Sequence, residues 1–171
     1  MKDFRVALVC ILLSLSFSRD GFPQSKITVH TNAEPTEFHS PMVMDVPLEG
    51  LKNLPMEEPL MISDFAKYHC DDVSIKLLEV SRRQIGPTDS QLITKAKVVA
   101  RPTRDKNVRL VFDLMVGEKQ VLSWNIDEIE VEEGEQATAK EKSPKIPWKD
   151  LDGLLRTNPA PYLRISMSVS D

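Results

Sequence analysis

Three histidines, two cysteines and seven methionines are the chain's whole stock of imidazole, thiol and thioether, in 171 residues. All three histidines, His30, His39 and His69, precede residue 71, interleaved with Met42, Met44, Met56 and Met61. Thioether and imidazole donors together suit copper(I). His30, His39, Met42, Met44, His69 and Cys70 are therefore the candidate metal ligands. Their spacings match no recognised ligand pattern, and methionine is a common apolar filler. The first expectation is thus no cofactor, with copper binding as the alternative. His69-Cys70-Asp71-Asp72 offers three ligand types in a row, but no second cluster supplies the remaining donors of a zinc site. His69 and Cys70 also make a poor thiolate–imidazolium pair, because neighbours on a strand point to opposite faces.

Other chemistry lacks parts. No Gly-x-Ser-x-Gly elbow occurs, and the histidines lie where a preorganised base is hard to build, so no catalytic residue is assigned and the chain is expected not to be an enzyme. Asp127, Glu128, Glu130, Glu132, Glu133 and Glu135 put six acids in nine residues. Calcium favours such oxygen ligands, yet Ile129 and Val131 alternate with the acids, which fits the wet face of a strand. Like charges in a row also discourage edge-to-edge pairing. Trp124 and Trp148 could form a binding platform; their apolar neighbourhoods point to packing instead, with Trp124 plugging a core and Trp148 capping one end. A net charge of -4 leaves no basic footprint for nucleic acid.

The elements that must carry these residues begin with a leader. Lys2 and Arg5 precede an apolar run, Val6–Phe17, and Ser16-Phe17-Ser18 puts small residues where a signal peptidase looks. Residues 1–18 are expected to be a cleaved secretory signal. The run is too short for a membrane span, which needs about 20 residues, so no stable span is expected after cleavage. An uncleaved anchor is the alternative. Cys10 resembles a lipidation site, but Ile11-Leu12-Leu13 continues the apolar run past it. Cleavage removes two of 22 basic and one of 26 acidic residues, giving -5. It also leaves Cys70 without an intramolecular partner. That lack, and the absence of any Asn-x-Ser/Thr acceptor, lean toward a bacterial, periplasmic or secreted protein.

Residues 19–70 hold six of the twelve prolines. Proline at that density stops helices and central strands. The segment reads as a Pro-rich arm or linker, with a short edge strand at Ile27–His30 and Leu60–Phe65 packing as a first turn. From residue 71 the pattern has period two. Strands are expected at Ser74–Val80, Leu92–Ala100, Val108–Val116, Val121–Ile126, Ile129–Val131 and Leu163–Val169. Gly117–Gln120 would be a four-residue hairpin connection. Leu151, Leu154 and Leu155 share one helical face, though Gly153 limits that helix to a turn or two. Alternation of this kind means one buried and one wet face per strand. The expected fold is all-β: an antiparallel immunoglobulin-like sandwich of about seven strands over residues 71–171, with one short helical turn and an N-terminal extended arm.

Residues 97–114, with Phe112-Asp113-Leu114, Gly117 in the following hairpin and Gly134-Glu135 at the later turn, resemble exported immunoglobulin-like domains of the FxLYD type. The similarity runs over about residues 92–135. Met115-Val116 stands where that family has Tyr-Asp, and Arg101 where it has Asn. The resemblance implies a fold and an extracytoplasmic setting, and brings no catalytic residues. The combined expectation is a non-enzymatic exported module with a protein partner in the cell envelope.

Overall fold

The computed structural model describes residues 28–30, 36–37, 41–63, 68–70, 72–100 and 105–170, with backbone alone at 28–30, 36–37 and 68–69. The signal segment, His39 and the turn at 101–104 lie outside the described residues.

The chain forms an all-β sandwich of two sheets. Sheet A contains β1 (Thr28–His30), β2 (Thr36–Glu37), β4 (Leu60–Ser63), β5 (Tyr68–Cys70), β6 (Val73–Ile85), β7 (Asp89–Ala100), β10 (Gln136–Lys142) and β11 (Ile146–Pro147). Sheet B contains β3 (Met42–Pro47), β12 (Tyr162–Ser170), β8 (Lys106–Val116) and β9 (Lys119–Val131), in that spatial order. A 3-10 turn covers Glu49–Asn53, and the helix α1 covers Trp148–Leu155.

The long β6–β7 hairpin is the middle of sheet A. Both of its flanks are filled by short strands laid end to end. β4 and β5 pair along β6, and β10 and β11 pair along β7, all antiparallel. The outermost pairs, β1 with β4 and β2 with β5, are parallel.

Alternation decides which side chains go inward. In β8, Val108, Leu110, Phe112 and Leu114 enter the core; in β12, Leu163, Ile165 and Met167 do the same. Phe112 stacks on Trp124 of β9 with ring centroids 5.7 Å apart. The indole Nε1–H donates to Thr94 Oγ1 of β7 at 3.1 Å, so one buried polar contact joins the two sheets across an apolar core. Trp124 thus plugs the sandwich.

The segment expected to be an arm is, from residue 42 to 63, part of the sandwich. Met42, Met44 and Val46 alternate inward from β3, Leu48, Leu51 and Leu54 follow from the 3-10 turn, and Leu60 and Ile62 enter from β4. The prolines do not prevent this. Pro47 sits at the end of an edge strand, while Pro55 and Pro59 lie between elements, where a missing N–H costs no ladder bond.

Two smaller expectations also change. The described residues hold twelve strands, because polar Gln136–Lys142 is a strand and the edge lanes are split. The hairpin after β8 has two linking residues, Gly117 and Glu118, with Gly117 at φ +59°. The short helix is found where expected, over Trp148–Leu155, about two turns long, and it seats Leu151 and Leu155 in the core. The acidic run behaves as the alternation implies: Ile129 and Val131 are buried, and the acids beside them are exposed.

Candidate interaction face

Of the proposed metal ligands, the three whose side chains are described, Met42, Met44 and Cys70, lie in the core rather than at a surface site. Met42 and Met44 are two residues apart on β3, so they share a face, and that face is the core. Their thioethers are enclosed by aliphatic side chains and cannot serve a solvent-facing copper ion. Cys70 is a free thiol with no exposed surface. His30 lies in β1, and His69 in β5 opposite Ser74; their side chains, and all of His39, are outside the described residues. Among the described residues, no three of His, Cys, Asp and Glu gather closely enough to hold a metal ion.

Most buried polar groups hold strands together. The Ser143 hydroxyl accepts from Leu92 N–H at 3.0 Å and donates to Pro144 O at 2.8 Å; Ser90 Oγ donates to Ile146 O. These contacts zip the 143–146 connector onto β7 in the gap between β10 and β11. Arg82 is the exception in kind. It points inward from β6, with its side chain 6% exposed, and lies beneath α1. Its Nη2 donates to Leu54 O, its Nη1 is 3.8 Å from Asp152 Oδ1, and its guanidinium lies 5.8 Å from the Trp148 ring centroid. Nε has no partner. Burial pushes the Arg82 pKa below the usual arginine value, and the Asp152 charge partly offsets that. Arg82 fastens the 3-10 turn and the helix to sheet A, with Trp148 covering it at one end of the sandwich.

On the outer face of sheet B, charges alternate within one ladder row. Arg164 stands between Asp45 and Asp113 and bonds Asp45 at 2.8 and 3.0 Å. The hydrogen bonds and the charge of Asp45 push the Arg164 pKa up from its already high value. This row ties edge strand β3 to β12.

The outer face of sheet A is different in character. Strand register sets Met61, Glu79, Lys95 and Lys140 in one row, and Ser63, Leu77, Lys97 and Thr138 in the next. Ser81 and Ile93 continue on one side, Ser74 and Val99 on the other. A bulge between Ile75 and Leu77 inserts Lys76, which is exposed. The result is an apolar stripe of Leu77, Ile93 and Val99 flanked by Lys76, Arg83, Lys95, Lys97 and Lys140. Lys95 pairs with Glu79 at 3.2 Å, and Arg83 with Glu57 at 3.6 Å. Among the described residues, Lys97 and Lys140 have no ion-pair partner.

Three shallow depressions lie on this face. One of about 180 Å³ is bounded by Leu77, Glu79, Lys95, Lys97 and Thr138. The next, about 280 Å³, is bounded by Glu57, Ser81, Arg83, Ile93 and Lys140. A third, about 430 Å³, lies over Lys76 and Val99 against Glu135. Such a surface can hold carboxylates and aliphatic groups.

Lys95 and Lys97 sit on a strand the alternation shows, so their outward direction is legible from Ala96 and Val98 pointing in. Their meeting with Lys140 is not, because Gln136–Lys142 lacks the large apolar residues that mark a strand. Its inward-facing positions are Ala137, Ala139 and the exposed Glu141, so only alanines reach the interior.

No protein-family model matches the chain, and no curated protein sequence does. Among solved structures, a β-glucuronidase from glycoside hydrolase family 2 is similar over 41% of this chain and 7% of that one, at 14% identity and a TM-score of 0.36. The chain therefore spans only a small part of that neighbour. No described helix is long and apolar enough to cross a membrane.

Proposed function

We propose that this chain is an exported, non-enzymatic β-sandwich module that works by binding a protein partner in the cell envelope. The observation that carries the binding part is the outer face of sheet A. It is broad and shallow, and mixes aliphatic side chains with basic ones, of which Lys97 and Lys140 have no ion-pair partner among the described residues. Polar groups that meet inside the fold are consumed in fastening strands to one another, so they supply architecture rather than turnover. Export rests on the charged head, apolar run and small-residue site of residues 1–18.

One fractionation experiment tests both parts. The full chain is followed in the cell that naturally makes it, and the extracytoplasmic fraction is crosslinked before analysis. Intact mass is expected to correspond to residues 19–171, and the crosslinked fraction to contain a discrete heteromeric adduct. A full-length cytoplasmic protein overturns export. A chain that never joins another protein overturns the interaction reading.

A further inference from the structure

We infer that the outer face of sheet A docks an acidic segment of the partner protein that also carries aliphatic side chains. This rests on the interaction reading above and adds to it the surface and the partner's chemistry.

The charge of the face opposes that of the chain. The protein is net negative, yet here Lys76, Arg83, Lys95, Lys97 and Lys140 outnumber Glu57, Glu79 and the rim Glu135. A cationic area on an anionic protein attracts acidic partners locally and repels general association. The cations are interleaved with apolar groups: Leu77 and Val99 are half-buried, and Ile93 is almost covered although it points outward. Long basic side chains lying along aliphatic ones create this texture.

The two smaller depressions occupy successive stretches of the same strands, displaced by two to three residues along β7, or roughly 7–10 Å. Alternate side chains of an extended segment are spaced to match. Glu79, 22% exposed, sits between them bound to Lys95. A dense phosphate array, as on a bilayer or duplex, would press anions against Glu79, Glu57 and the rim carboxylate Glu135. A protein segment can place an apolar residue or a donor there instead. A second copy fits less well. Its acidic run has Ile129 and Val131 buried in its own core, and offers carboxylates without aliphatic groups.

The test is selection from a random displayed-peptide library against the full chain, with retained peptides measured by fluorescence anisotropy. Retained sequences are expected to mix Asp or Glu with Val, Leu or Ile. Their binding should weaken on the order of tenfold or more in Lys97→Glu/Lys140→Glu. It should be unchanged in Lys119→Glu/Lys149→Glu, which alters exposed lysines on β9 and α1. Matching circular dichroism and unfolding midpoints establish that the variants fold. Acidic peptides that bind the Lys97→Glu/Lys140→Glu protein equally well overturn this surface but leave the interaction reading standing. No retained peptide overturns both. Neutral or basic retained peptides overturn the partner's chemistry, as does tighter binding to phosphatidylglycerol vesicles or duplex DNA. Self-association that the Lys97→Glu/Lys140→Glu change abolishes assigns the face to a second copy instead.

Discussion

Removing Asp152 should destabilise the fold substantially only while Arg82 is present. Arg82 is buried and, as an arginine, stays charged at any ordinary pH. Its one carboxylate neighbour among the described residues is Asp152, 3.8 Å away and 29% exposed. At an effective dielectric of about 20, that separation corresponds to an attraction of about 4 kcal/mol. Water at the exposed carboxylate screens much of it. Stripping the partner from a fully buried pair costs about 3–5 kcal/mol, and the partial exposure here reduces the expected cost of Asp152→Ala to about 1–2 kcal/mol. With a urea m-value of about 2 kcal/mol/M, the midpoint falls by roughly 0.5–1 M. Arg82→Met keeps much of the packing and removes the buried charge together with its unpartnered Nε. Its stability should lie within about 1 kcal/mol of the parent, whereas Arg82→Ala, which also empties the site, should cost about 2–4 kcal/mol. In the Arg82→Met background, Asp152→Ala should cost only the exposed 3.0 Å pair with Arg156, about 0.3–0.5 kcal/mol. Urea unfolding followed by tryptophan fluorescence gives all the corners of this cycle. An equal cost of Asp152→Ala in both backgrounds would refute the latch.

Other substitutions probe separate contacts. Trp124→Ala should cost about 3–5 kcal/mol in thermal or urea unfolding, since it empties the centre of the core. Thr94→Val strands the indole N–H and should cost about 1–3 kcal/mol with little change in volume. Gly117→Ala forces a side chain into the left-handed region at φ +59° and should lose about 1 kcal/mol. Ser143→Ala leaves the buried Leu92 N–H without its acceptor and should lose about 1–2 kcal/mol; amide hydrogen exchange at Leu92 should quicken selectively. A chain begun at residue 71 should give no cooperative unfolding transition, because it lacks β3 and β4. A folded product of that length would refute the placement of residues 42–63 in the core.

The sandwich was legible wherever large apolar residues alternate with polar ones. Val108–Val116 and Leu163–Val169 announce both faces of sheet B, and Trp124 could be placed inside because its neighbours are apolar. Three kinds of segment were opaque. Met42–Pro47 alternates as cleanly, Met-Val-Met-Asp-Val-Pro, but both of its faces carry apolar residues and prolines bracket it. The propensity signal said linker, while tertiary pairing with β12 made a strand. Gln136–Lys142 contributes only alanines to the interior and borrows its order from β7. Arg82 reads as one of two adjacent arginines in a polar stretch, and nothing local shows that it turns inward while Arg83 turns out. The binding face combines an opaque strand with legible ones, so its lysines could be counted in the sequence but not brought together.

The position of β12 has a consequence for how the molecule is made. β12 is an interior lane of sheet B, with β3 on one side and β8 on the other, and Asp45 pairs with a residue 119 positions later in the chain. The β6–β7 hairpin can nucleate early from local contacts, but β3 has no ladder in sheet B until β12 arrives beside it. Sheet B therefore closes through distant pairings, and its assembly, rather than that of the hairpin, should set the pace of folding.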